Sequence, residues 1–584
     1  MRRILLGHDR DTKNPIYIPK HAFRTHFHIP GGTGKGKTTA ILTMLHQLLR
    51  DPADRDCHII VDFLGGLSFE LGLWLASRYC PPSVRERLVY IEPAREGVVL
   101  GMNPLLYDTE AHGFYKTNRA AELVLRGWEV QNTEAMPRLS RWLFNAFWAA
   151  AQLGLTISDC VHFLMPGSDY HKELLRRLPP LLRGEWEEIM KANSTEASRI
   201  LEAPRNRLKP FFESPPLRYM FGATQNRFDV LRFMQEGRIV VLNLAPNNRI
   251  PPQVANAIGG LVLNEVLATA RSLPRHIRYP TYLWLDEFQR MVGKDIELAI
   301  PEVRQLALRL ILSHQSFAQL KRGDCDLTSI IFTAQSRMVF GLQGEDADLL
   351  ANEFATIEYD DRLIKDEIYA LRQLHAGHKI VELSSWGTAE SMAKQWNETY
   401  GRNWSANRST SRRDMSMHPV RGEGSAEGGQ EGHGQGGSDS RSQSSSRHQQ
   451  LVPQYKETME LARRTYTTFQ EQRQLWAKKL RNLPTGSTVL RLVDDETLYD
   501  VGVKASRPGF LGFDVETIYH RFPEVIDAYE QMLEKNFASD FFVSPAVIER
   551  ETQERLERVL RPVITIDTEP KRIGSEPPLT NPLM

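Results

Sequence analysis

The stretch HIPGGTGKGKTTA, residues 28 to 40, restricts the fold more than anything else in this chain. From Gly31 it satisfies the pattern G-x-x-x-x-G-K-[ST] without adjustment, through Gly31, Gly32, Thr33, Gly34, Lys35, Gly36, Lys37 and Thr38, with Thr39 next. Such a loop needs a strand that feeds it and a helix that follows it. Its glycines let the backbone wrap a phosphate with N–H groups, and the helix start adds unpaired N–H groups of its own. THFHIP before it reads as a short extended run, and TAILTMLHQLL after it puts Ile41, Leu45 and Leu48 on one helical face. In that setting Lys37 offers a cation to the β and γ oxygens of a nucleotide, and the Thr38 hydroxyl offers a ligand to magnesium.

The surrounding text has the grammar of an α/β fold. HIIVDF (58 to 63) and LVYIE (88 to 92) are short, wholly apolar runs of the kind buried in parallel sheets, separated by helical patterns such as FELGLWLASRY. Sheet language returns with RIVVLNLA (238 to 245), TYLWLDEF (281 to 288), LRLILSHQS (308 to 316), RMVFGL (337 to 342) and KIVEL (379 to 383). Between them, residues 106 to 236 read as helices. The expected organisation is a RecA-like core with a mostly parallel sheet in two parts, 1–105 and 237–401, split by an all-helical insertion at 106–236. Residues 421 to 450 contain no Val, Ile, Leu, Phe, Tyr or Trp, so 402–450 is expected to be a disordered Ser/Gly-rich linker. The remainder, 451–584, is expected to hold a helix at about 455 to 482, two strands (STVLRLV and TLYDVGV) and a helical tail.

A loop that binds phosphate needs a carboxylate site opposite it. YLWLDEF delivers Asp286 to the C-terminal edge of an apolar strand, where open α/β sheets bind ligands, and Glu287 follows. Asp286 would hold magnesium through its water shell, and Glu287 would orient and deprotonate the attacking water. At the end of the run LRLIL, Gln315 is placed to touch both the γ-phosphate and the chain beyond it, with His314 as a structural neighbour. Each has a bland alternative: a glycine turn, a surface acidic pair, a Gln that caps a strand end.

These residues together resemble the HerA/FtsK-type P-loop ATPases, and within them the soluble relatives of the conjugative coupling proteins of type IV secretion (TraG/TraD-like). The resemblance runs through FRTHFHIPGGTGKGKTT, IIVDFLGGLSFEL with Asp62, Asn103-Pro104-Leu105, LWLDEFQRM, and VRQLALRLILSHQSFAQL, which places Arg304 eleven residues before Gln315. It extends to GEDADLLANEFA and LRNLPTGSTVLRLVDD, covers about residues 15 to 505, and leaves the C-terminal tail unaccounted for. It implies a homohexameric ring that binds ATP and Mg2+ between subunits, takes an arginine from the neighbour, and passes DNA through a central pore without reading its sequence. Where many relatives read Phe-Arg, this chain has Phe340 and Gly341, which leaves Arg304 and Arg337 as candidates for the trans arginine.

Composition narrows the classes. Lys plus Arg (73) nearly equals Asp plus Glu (72), so no global basic field advertises a nucleic-acid coat, and DNA would be gripped by a few basic loops. The four cysteines, Cys57, Cys80, Cys160 and Cys325, are scattered without a zinc spacing, which fits a reducing compartment. With no apolar run long enough to span a membrane and only about 30 residues before the loop, the expected location is the cytoplasm, either with recruitment to a membrane channel by a partner or with none. Partners consistent with the resemblance are a relaxosome, a secretion channel, or a nuclease or effector in DNA processing or defence. An ATP-controlled assembly switch is the competing reading from another class.

Overall fold

The computed structural model describes residues 3–127, 136–191, 194–247, 249–291, 294–322, 325–384, 447–504 and 513–560. Two compact units emerge, one made of residues 1–359 and 468–584, the other of residues 360–467.

The first unit is built on an eleven-stranded sheet. Its strands are β1 (Arg3–Asp9), β2 (Pro15–Pro19), β3 (Phe27–Pro30), β4 (Cys57–Asp62), β5 (Leu88–Ile91), β6 (Ile239–Asn243), β7 (Thr281–Leu285) and β8 (Leu308–His314). After the two-residue strands β9 (Lys321–Arg322) and β10 (Cys325–Asp326), which pair only with each other, come β11 (Ser336–Val339), β14 (Ser487–Arg491) and β15 (Leu498–Val503). The order is β2-β1-β15-β14-β11-β3-β8-β7-β4-β6-β5. From β11 to β5 every pairing is parallel, and from β11 outward through β14, β15, β1 and β2 every pairing is antiparallel. The molecule is therefore α/β with a large, mostly parallel sheet.

The parallel block follows from its sequence. β4 (CHIIVD) and β7 (TYLWL) are buried at every position, as strands covered on both faces must be. The covering helices include α1 (Lys37–Leu49), α2 (Gly66–Ala76), α3 (Pro82–Arg85) and, later, α11 (Pro252–Ser272), α12 (Lys294–Val303) and α13 (Gly344–Ile357). In α11 nearly the whole surface is buried. Between β5 and β6 run α4 (Glu110–Gly127), α5 (Pro137–Gln152), α6 (Asp169–Arg177), α7 (Pro180–Lys191), α8 (Ser194–Glu213), α9 (Pro215–Gly222) and α10 (Val230–Glu236). The helix α4 packs along α11 and is pinned to it by a buried ion pair, Lys116 to Glu265 at 3.0 Å.

The C-terminal segments return to the same sheet. The strands expected at 487–503 form, and they extend the sheet by lying antiparallel beside β11. β1, which had no strand signal beyond its few apolar residues, continues that extension toward β2 and buries Ile4 and Leu6. The tail helix Pro523–Phe537 covers the other edge. There the Asn536 side chain imitates a neighbouring strand, accepting from the Tyr90 N–H at 2.8 Å and donating to the Tyr90 carbonyl at 2.9 Å. An exposed edge strand is a template for unwanted pairing, and this amide closes it.

The second unit differs from expectation. KIVEL is no sheet strand of the core: it belongs to β12 (Ile364–Ser384), which pairs antiparallel with β13 (Arg447–Tyr466) in a two-stranded ribbon of its own. The helix expected from about 455 begins only at Phe469, after a Thr468 and Glu471 capping box. YKETMELARRTY has helical propensity, but propensity is a weak prior and a partner strand some 90 residues away overrides it, as in the Arg372 to Glu460 contact across 88 positions. Of the linker expected at 402–450, all but the last four residues lie outside the described residues, and those four are in β13.

Candidate functional site

β3, β8 and β7 are consecutive neighbours in the sheet, so their C-terminal tips sit side by side. β3 ends at Pro30 and releases the glycine loop, β8 ends at His314 and presents Gln315, and β7 ends at Leu285 and presents Asp286 and Glu287. A continuous hydrogen-bonded chain spans all three. The Thr33 hydroxyl donates to Gln315 Oε1 at 2.9 Å, and Gln315 Nε2 donates to Glu287 Oε1 at 2.8 Å.

The loop is held by what it touches. Gly31 N–H donates to the His314 carbonyl at 3.2 Å and Gly32 N–H to the Gly341 carbonyl at 2.9 Å. A Cβ on Gly31 would stand 2.5 Å from the Phe340 Cβ, so only glycine permits this approach. Gly36 opens α1 at φ +110, a conformation that side-chain-bearing residues rarely adopt, with the Gly486 backbone directly behind it. Gly486 in turn donates its N–H to the Lys35 carbonyl at 3.0 Å. Thr33 and Gly34 are exposed at the mouth, Lys35 and Thr38 half-buried, and Thr39 lies in the first turn of α1 with its carbonyl accepting from Thr43 at 2.8 Å.

Lys37 is buried, with Nζ donating to the Gly31 carbonyl at 2.6 Å and the Gly32 carbonyl at 3.2 Å. Burial lowers its ammonium from the usual lysine range, while Glu287 and Asp286 oppose that shift. Asp286 is buried as well, and burial pushes its carboxyl up to about 6, with Asp62 next in the same direction, then Ser313 lowering it and Glu287 raising it. Asp62 is occupied elsewhere. It accepts from the N–H groups of Leu64, Gly65 and Ser68 and from the Ser68 hydroxyl, at 2.8 to 2.9 Å, so its role is to turn β4 into α2.

Glu287 carries the most constrained backbone at the site. Its φ is +55, which costs a non-glycine residue about 1–3 kcal/mol and persists only when the surroundings over-determine it. Its N–H donates to Asp286 Oδ1 at 3.1 Å, Gln315 holds one carboxylate oxygen, and the Gln289 amide holds the other.

The residues present fit a nucleoside triphosphate with magnesium. The first-turn N–H groups of α1 have no intrahelical acceptors and converge with the loop's amides and the Lys37 ammonium. One buried carboxylate and one hydroxyl suit magnesium, which keeps several waters and takes few protein ligands.

One expectation about the arginines changes. Arg337 is fully buried: its guanidinium donates to His28 Nδ1 at 3.0 Å, pairs with Glu353, and stacks over Phe332, so it is withheld from any neighbouring subunit. A Cβ at position 341 would be 3.1 Å from Lys35 Cε, and the Gly341 carbonyl accepts from the Gly32 N–H, so Gly341 lies against the loop of its own chain. Arg304 is exposed in the turn before β8, at the opposite end of that strand from Gln315. At about 3.3 Å rise per residue it stands some 20 Å from the loop of its own chain.

Sequence reasoning missed Gln289 and a buried polar chain behind the loop. His28 Nε2 and His314 Nε2 are 2.7 Å apart with stacked rings. Since Arg337 donates to His28 Nδ1, His28 carries its proton on Nε2 and donates to His314. Burial, first among the causes, holds both imidazoles neutral, His314 at about 3 and His28 well below its usual value. No motif spacing announces the contacts of His28, His314 and Arg337, because they are made across three strands.

Comparison with known proteins returns no matching family model and no matching curated protein. Among solved structures, the plasmid coupling protein TrwB in complex with the non-hydrolysable GTP analogue GDPNP aligns at TM-score 0.48 and 15% identity, over 87% of this chain and 95% of that one. TrwB in complex with ADP and Mg2+ aligns at TM-score 0.47 and 14% identity, over 87% and 95%. VirB4 of Thermoanaerobacter pseudethanolicus aligns at TM-score 0.37 and 15% identity, over 60% and 86%. The chain thus has structural similarity to the coupling protein TrwB and to VirB4, at low sequence identity.

Proposed function

We propose that this chain is an ATPase of the HerA/FtsK type that hydrolyses ATP to drive DNA through a homohexameric ring. The observation that carries the reading is the chain of contacts from Thr33 through Gln315 to Glu287, laid across three adjacent strand tips beside Lys37 and Asp286. Bound ATP with Mg2+ supplies the phosphoryl group that passes to water and part of the charge neutralisation.

The protein's own groups divide the remaining work. Amides of the loop and of the α1 start bind the phosphates, and Lys37 turns from the Gly31 and Gly32 carbonyls toward the anionic oxygens, a better acceptor for a buried cation. Thr38 would ligate the metal and Asp286 would hold it through its water shell. Glu287 takes the proton of the attacking water at its carboxylate. Gln315 links Glu287 to the loop, so its amide senses the state of the phosphate and passes it to β8. Arg304 of one subunit is the candidate to reach the site of the next. DNA contacts made by a few basic loops on a chain of net charge +1 would ignore sequence and weaken with salt. Among the described residues no helix is long and apolar enough to cross a membrane.

A second reading, an ATP-controlled switch that docks an effector, rests on the ribbon, where Tyr369, Leu371, Ile380, Leu451, Tyr455 and Met459 are exposed. ATP turnover and sedimentation, measured together with and without single- and double-stranded DNA, separate the two. The translocase reading expects a ring-sized particle and DNA-stimulated, salt-sensitive turnover, and a loss of about 100- to 10,000-fold in Glu287→Gln with ATP still bound. A monomer whose turnover ignores DNA would sink it.

A further inference from the structure

We infer that Gln289 is a positioning residue for Glu287. The inference rests on the reading of Glu287 as the general base. Glu287 leaves β7 in the left-handed region and is almost fully buried, so its carboxylate direction is not set by the strand and must be set by side-chain contacts. Two amides provide them. Gln315 donates to Oε1 from the mouth of the site, and Gln289 donates to Oε2 from the turn that follows β7.

The two glutamines differ in what else they do. Gln315 is half-buried and its own oxygen accepts from Thr33 on the loop, so it belongs to the part of the site that responds to phosphate. Gln289 is buried, and its Oε1 finds no partner among the described residues. A buried amide that leaves its acceptor unsatisfied while donating to a carboxylate is retained at a cost to stability, which points to a role for the donor. Gln289 therefore holds the inner carboxylate oxygen throughout. The outer oxygen stays turned toward Gln315 and the water to be deprotonated.

The test is a double-substitution cycle on the full chain, with ATP turnover, nucleotide affinity and melting temperature read for each variant. In Gln289→Ala, kcat is expected to fall about ten- to a hundredfold, the loss of one hydrogen bond to a charged group, with KM for ATP within about twofold of wild type. Gln289→Glu, which sets a carboxylate against Glu287, is expected to fall further. Because Gln289 acts through Glu287, adding Gln289→Ala to Glu287→Gln should slow turnover no more than Glu287→Gln alone. Full kcat in Gln289→Ala, or losses that multiply in the double variant, would overturn the inference. Wild-type turnover that survives Glu287→Gln would instead overturn the reading of Glu287.

Discussion

Asp286 shows how one buried side chain ties stability to chemistry. Its carboxyl is raised from the ordinary aspartate range to about 6 in the fold, with burial as the main cause and Asp62 second. A folded-state value above the unfolded one means the native protein holds the proton more tightly. Stability from this group is therefore greatest below pH 4 and declines as pH rises from about 4 to 6, and above 6 the full penalty of a buried carboxylate stands. Asp286→Asn removes a penalty of up to about 3 kcal/mol. Without nucleotide, Asp286→Asn should melt higher than wild type at pH 7.5, and the difference should vanish near pH 4; equal melting temperatures across that range would refute the account. Turnover should move the other way, since an amide is a poor magnesium ligand. On the proposed reading, stability is given up at Asp286 for magnesium binding, a common trade at active sites.

At the scale of elements, the tail is the feature the motifs left without a role, and packing supplies one. Besides Asn536 at the sheet edge, the last described helix, Pro545–Leu560, is fastened to the helical region through Glu549, which accepts from the Tyr219 hydroxyl, through Glu551, which accepts from Arg227 and the Thr224 N–H, and through the buried Arg555. Arg555 donates to both Asp159 oxygens, at 2.8 and 3.2 Å, and also to the Gly222 carbonyl and the Thr224 hydroxyl. Breaking a buried pair on one side leaves an uncompensated charge, which costs about 3–5 kcal/mol. Asp159 keeps its Thr156 contacts, which places Arg555→Ala at the lower end. The expected result is a melting temperature several degrees lower and faster limited proteolysis after residue 513; unchanged proteolysis would show that the helix is held by other means. Of the sheet strands anticipated from apolar runs, all but KIVEL take their places, because a strand buried on both faces writes its environment directly into its composition. KIVEL and the ribbon were illegible for the opposite reason: neither strand is buried, and each forms only because the other pairs with it.

At the scale of the whole molecule, the ribbon is the separable part. The Thr467 N–H donates to the Leu363 carbonyl at 2.9 Å, so the ribbon's two ends meet and a short linker can replace it. Among the described residues, the buried hydrophobic core contains nothing from residues 360 to 467. Replacing that span should leave ATP binding intact and the melting temperature of the remainder within a few degrees of wild type, by calorimetry. A large loss of stability would show that the two units depend on one another. DNA stimulation in the same protein then shows whether the ribbon serves the motor or a partner.

The sequence by itself determined the parallel α/β core and the residues brought to its site, because a phosphate loop needs a strand before it and a helix after it, and a buried strand must be apolar. It could place Asp286, Glu287 and Gln315 at strand tips, since the end of an apolar run marks the edge of a sheet, and Lys37 at the start of the helix that follows the loop. Only the tertiary structure decided which tips are neighbours, that Arg337 is locked to His28 and Glu353, that Gly341 supports its own loop, and that Gln289 grips Glu287. Those contacts join residues through sheet order and backbone direction, and neither quantity is encoded in local periodicity or spacing.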